Sequence, residues 1–119
     1  MNWNFENAAP VIGSITEGNA WDGEKMLYSN IAMNRILSYD PETGHVAVWR
    51  DNTQGTNGLN FDSEGNLFGC SGSGRKIARF DANGDMTTIV DRLDGRRINS
   101  PNDLAITPSG AIYFSDRVG

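Results

Sequence analysis

Cysteine is almost missing from these 119 residues: Cys70 stands alone, which excludes an internal disulfide and any multi-cysteine metal cluster. Cations are scarce too, with 10 Lys and Arg against 15 Asp and Glu and a net charge of -5. Two Lys and eight scattered Arg cannot assemble the basic face that phosphate-driven binding needs, so no nucleic-acid partner is expected. No apolar run is long enough to span a membrane, and no membrane partner is expected. The start, Met1-Asn2-Trp3-Asn4-Phe5-Glu6, lacks the basic and apolar regions of a signal peptide. A cytoplasmic chain is the expectation, with a periplasmic one left open. Helical periodicity is absent as well: Gly, Pro or an Asn-rich break interrupts every candidate apolar face.

Turn formers are what the chain does have, with 14 Gly, 13 Asn and 10 Asp. Short apolar segments alternate with these turn signals, the pattern of an all-β chain. The length suits one domain at most, burying roughly two thirds of its unfolded surface.

An internal repeat organises those segments. Gly18-Asn19-Ala20-Trp21-Asp22 is followed 40 residues later by Gly58-Leu59-Asn60-Phe61-Asp62, and without a gap Leu27 then meets Leu67. A third copy, Asp103-Leu104-Ala105-Ile106, comes 45 residues after the second. Ile36 and Tyr39-Asp40 are answered by Ile77 and Phe80-Asp81. A period of ~40–45 residues built from short strands is the signature of propeller blades. Asp62-Ser63-Glu64-Gly65 and Thr107-Pro108-Ser109-Gly110 read as type I turns joining the first strand of a unit to the second. Third strands are expected at 35–39 and 75–80, outer strands at 45–50 and 86–90.

Four strands make one blade. Residues 16–54 then form one blade, 55–98 a second, and 99–119 the opening hairpin of a third. Propellers close with four to eight blades. The expectation is therefore a partial β-propeller, about two and a half blades, with 1–119 the N-terminal fragment of one domain.

Extending the repeat by one residue puts Glu17, Asn57 and Asn102 at one position, just before the inner strands. Inner strands line a propeller's central channel, so these side chains are expected to converge. An acid and two amides offer hard oxygen donors suited to Ca2+ or another hard divalent cation. The competing explanation is that each only satisfies strand-end backbone groups. Three oxygen-bearing residues in register weigh against that explanation. Trp21, Phe61 and Ile106 share another repeat position and are expected between the blades.

The runs Glu17-Gly18-Asn19-Ala20-Trp21, Thr56-Asn57-Gly58-Leu59 and Asn99-Ser100-Pro101-Asn102-Asp103-Leu104, followed by Ile112-Tyr113-Phe114-Ser115-Asp116, resemble the senescence-marker-protein/gluconolactonase family. The resemblance runs from about residue 10 to the end. It implies a six-bladed propeller with a divalent cation in its channel, hydrolysing a lactone whose carbonyl the cation polarises. It further implies Glu17 and Asn102 as metal ligands, with Zn2+, Mg2+ or Mn2+ as alternatives to Ca2+. Asn57 and Asn102 would contact a small lactone substrate, and Asp103 would orient the Asn102 amide from behind. The family's other ligands, an Asn and an Asp that also serves as base, have no counterpart in this sequence. No catalytic base is thus assigned here, and the isolated chain is expected to be inactive. Where relatives carry Glu-His-Gly, this chain has Ser71-Gly72-Ser73-Gly74, which leaves the choice of lactone open.

Other motifs fare worse. Gly69-x4-Gly74-Arg75-Lys76 echoes a phosphate-binding loop, but Lys does not follow the second Gly and no helix is expected after it. Asp81-Ala82-Asn83-Gly84-Asp85 opens like an EF-hand loop, yet Arg92 stands where the bidentate Glu belongs. His45, the single histidine, has no Ser or Cys partner motif for a triad. The functional alternative from another class is a propeller that binds a ligand or protein without catalysis.

Overall fold

A computed structural model describes residues 3–9 and 15–118, and every regular element among them is a strand. The first sheet runs β1 (Thr16–Trp21), β2 (Met26–Asn30), β3 (Arg35–Asp40), β4 (His45–Asp51) in sequence order. The second repeats it with β5 (Thr56–Phe61), β6 (Leu67–Ser71), β7 (Lys76–Phe80) and β8 (Met86–Val90). A short hairpin, β9 (Arg92–Leu93) and β10 (Arg96–Arg97), precedes the antiparallel pair β11 (Pro101–Ile106) and β12 (Ile112–Asp116). All pairings are antiparallel, so the all-β partial propeller is what the chain forms.

Aspartate side chains shape the turns. Asp62 Oδ1 accepts from the backbone N–H groups of Glu64 (2.9 Å) and Asn66 (2.8 Å), and Oδ2 accepts from Asn66 Nδ2 (3.0 Å). Asp22 does the same for Glu24 and Lys25, and Asp81 for Asn83 and Asp85. A short aspartate at the first turn position thus replaces backbone partners that a tight loop cannot supply.

The cores lie between the sheets. Ala20, Leu27 and Ile36 of the first sheet pack against Leu59, Leu67 and Phe80 of the second, with the Trp49 ring edge-on to Phe80 at 5.9 Å. On the second sheet's other face, Cys70 and Ile77 meet Leu104, with Ile106 and Phe114 packed around them. Pleating explains the arrangement, since alternate residues of one strand face opposite neighbours.

Two expectations need correction. Strand pairing sets Met26 with Trp21 and Leu67 with Phe61, so Leu67 answers Met26, and Leu27 answers Phe68. The first hairpin loop is one residue shorter than the second, which breaks the gapless repeat there. Leu27 accordingly faces the second sheet, while Leu67 faces back toward the first. Phe61 and Ile106 do pack between sheets, whereas Trp21 is 49% exposed, because no sheet precedes it among the described residues.

Candidate functional site

Each inner strand carries a bulge at the same place. Register shifts fall between Glu17 and Ala20 in β1, between Thr56 and Leu59 in β5, and between Pro101 and Leu104 in β11. A bulge bends its strand and re-aims the extra residue. Glu17, Asn57 and Asn102 stand at these three bulges. The repeat placed them in register, and the missed bulges were signalled by Gly18 and Gly58 inside strand patterns.

Backbone contact then draws the strands together. Gly18 has φ +59, and a Cβ on it would fall 1.9 Å from the Asn57 carbonyl oxygen. One on Gly58 would fall 2.8 Å from both the Asn102 carbonyl oxygen and the Asp103 Cα. Glycine is required at both positions for this approach. Ser29 Oγ donates to the Asn57 carbonyl at 2.6 Å, tying the first sheet to the second at the same level.

The result is one open cavity of about 480 Å³ lined by Glu17, Asn57, Asn60, Asn102 and Asp103 among others. Asn57 Nδ2 donates to Asn102 Oδ1 at 2.6 Å, so the two amides form a joined wall. The hydrogen bond that fixes the Asn102 amide therefore comes from Asn57. Asp103 instead accepts from the Leu104 N–H at 2.9 Å and lies at the cavity edge beside Gly58.

Charge in the cavity is one-sided: two carboxylates line it and no Lys or Arg does. Among the described residues no three His, Cys, Asp or Glu side chains gather to bind a metal, so amide oxygens must complete any cation site. Carboxylate plus amide oxygen is the donor chemistry of a hard cation, and Glu17, Asn57 and Asn102 fit one. Cys70 takes no part. Burial, with the Asp103 carboxylate adding to it, pushes its thiol up to about 12, leaving a neutral thiol rather than a thiolate ligand.

Comparison with known proteins gives the site a setting. Residues 15–118 match the family described as SMP-30/gluconolactonase/LRE-like region. A gluconolactonase of Zymomonas mobilis is 28% identical over 116 residues, covering 85% of this chain and 33% of its own. A gluconolactonase structure from Xanthomonas campestris superposes with a TM-score of 0.83 at 38% identity, covering 87% of this chain and 35% of that one. The calcium-binding protein regucalcin of Agrobacterium tumefaciens superposes at 0.60 with 21% identity, over 79% of this chain and 35% of its own, which shows the shared fold alone. The chain spans about a third of the length of these relatives.

Proposed function

The chain belongs to the SMP-30/gluconolactonase/LRE-like family, and from that premise we propose that Glu17, Asn57 and Asn102 form one wall of the divalent-cation site of a lactone hydrolase. The observation that carries this reading is the meeting of three bulged inner strands on one cavity without a basic side chain. Ca2+ is the first candidate, since a carboxylate and amide oxygens suit it. Zn2+, Mg2+ and Mn2+ are the alternatives.

A divalent cation, when bound, supplies polarisation of the lactone carbonyl. This chain's residues do the rest of the positioning. Glu17 contributes the anionic oxygen. Asn57 holds Asn102 by its amide hydrogen bond, which leaves the second lone pair of Asn102 Oδ1 and its Nδ2–H groups free for cation or substrate. In the reaction, water adds to the carbonyl carbon, the ring C–O bond breaks, and the ring oxygen leaves with a proton as the hydroxyl of a hydroxy acid. We assign the base that takes the water proton to polypeptide outside these residues, consistent with a chain that covers about a third of its relatives' length.

The test is calorimetric titration of CaCl2 into the 119-residue chain and its Glu17→Gln variant, with a gluconolactone hydrolysis assay on both. Weak binding lost in Glu17→Gln, with hydrolysis at the buffer rate, is the expected result. Equal binding by both proteins would remove Glu17 from the site. Glu17-dependent turnover would show that these residues already contain the full catalytic apparatus. A base contributes typically about 10²–10⁴-fold, so its presence would be plain in the assay.

A further inference from the structure

A second compartment opens on the other side of the Asn57–Asn102 pair. Its volume is about 330 Å³, and it shares those two amides with the first cavity. Its character is opposite. No carboxylate side chain lines it, and Arg117 is its one charged residue, in a chain where acids outnumber bases 15 to 10. Ser73 and Ser100 add hydroxyls to the lining. Asp116, the residue before Arg117, is already engaged, with its two oxygens accepting from the N–H groups of Asn99 (2.9 Å) and Ser100 (2.6 Å).

Two glycines make room for the serine hydroxyls. A Cβ on Gly55 would fall 2.6 Å from Ser73 Oγ, and one on Gly72 would fall 3.3 Å from Ser100 Oγ. Two more arginines border the same loop: Arg97 donates to the Gly74 carbonyl at 3.3 Å, and Arg75 to the Ile98 carbonyl at 2.9 Å. Of the three, Arg117 alone lines the compartment. A guanidinium beside two hydroxyl-bearing side chains, with no carboxylate in the lining, offers charge-assisted hydrogen bonds to an oxyanion.

We propose that this compartment is an oxyanion subsite, where Arg117, Ser73 and Ser100 take a phosphate or carboxylate carried by the substrate. It rests on the lactone-hydrolase reading only for the word substrate. A lactone with its carbonyl at Glu17 would reach across the amide pair and place an anionic substituent against Arg117. Neutral sugar lactones lack that second contact, so the subsite selects for acidic or phosphorylated ones.

The test uses the 15N-labelled 119-residue chain without added Ca2+, titrated at constant ionic strength with sodium phosphate, sodium gluconate and neutral sorbitol. Amide resonances of Gly72, Ser73 and Ser100 should shift saturably with phosphate, gluconate or both, and stay fixed with sorbitol. Phosphate alone would identify a phosphoryl substituent; gluconate acting equally would identify a carboxylate. Arg117→Gln should weaken binding about five- to tenfold, as loss of one exposed charge-assisted contact does, while Arg117→Lys stays within about twofold. Equal shifts with sorbitol, or an unchanged affinity in Arg117→Gln, would overturn the proposal. Failure of Ca2+ binding in the earlier titration leaves this result untouched, so the two readings fall separately.

Discussion

At the scale of single residues, Gly18 carries the heaviest constraint. Its φ is +59 and its missing Cβ makes room for the Asn57 carbonyl, so Gly18→Ala meets both backbone strain and a backbone clash. We expect a loss of about 3 kcal/mol, read as a lower urea midpoint, whereas an unchanged midpoint would mean the strands do not meet there. Cys70 should resist a thiol reagent at pH 8 in the folded chain and react only on unfolding, because it is fully buried and its thiol is pushed up to about 12. Rapid labelling of folded protein would contradict that burial. Asp62 titrates in the other direction: the Asn66 side-chain hydrogen bond, then backbone N–H groups, hold its carboxyl below the ordinary 3.8. A depressed folded value means the contribution to stability is present above the unfolded value and lost as pH falls through the folded one. An NMR titration of Asp62 should therefore give a midpoint below 3.8, and Asp62→Asn should flatten the acid limb of stability. A midpoint at or above that value would show that the turn hydrogen bonds do not form.

At the scale of elements, the load falls on the strand faces between sheets. Ile77 is wholly buried between the second sheet and β11, so Ile77→Ala should cost about 2–5 kcal/mol in denaturant. A cost under about 1 kcal/mol would mean that the β11–β12 pair does not dock. Most strands were legible because period-2 apolar runs and Asp/Gly turns mark them on both sides. Two features were not. The missing residue in the first hairpin loop hides behind a chance Leu27–Leu67 match, since side-chain identity is blind to which face a strand presents. The β9–β10 hairpin turns on Asp94-Gly95, with φ of 51 and 78, the two-residue turn that such a pair favours, but its strands are too short to register as an apolar pattern. That Glu17, Asn57 and Asn102 share one cavity was legible through repeat register. Their joined amides were not, because a hydrogen bond between residues 45 apart depends on how neighbouring sheets stack.

At the scale of the whole molecule, both ends of the stack stay open among the described residues. Trp21 is 49% exposed on the face that Phe61 and Ile106 use for docking, and Tyr113 is 67% exposed on the last pair. β12 pairs with β11 only, leaving a strand edge able to recruit another chain. Contacts between blades are nearest-neighbour, so the sheets can persist while their outer faces associate. Light scattering should show concentration-dependent association that Trp21→Gln reduces. A strict monomer with a sharp, reversible thermal transition would contradict this. The central claim, however, is that three successive inner strands deliver Glu17, Asn57 and Asn102 to one cation. The side-chain amide resonances of Asn57 and Asn102 followed during Ca2+ addition test it most directly. The account predicts that both shift with a single common midpoint and that neither moves in Glu17→Gln; shifts with separate midpoints, or shifts that survive the substitution, would contradict it.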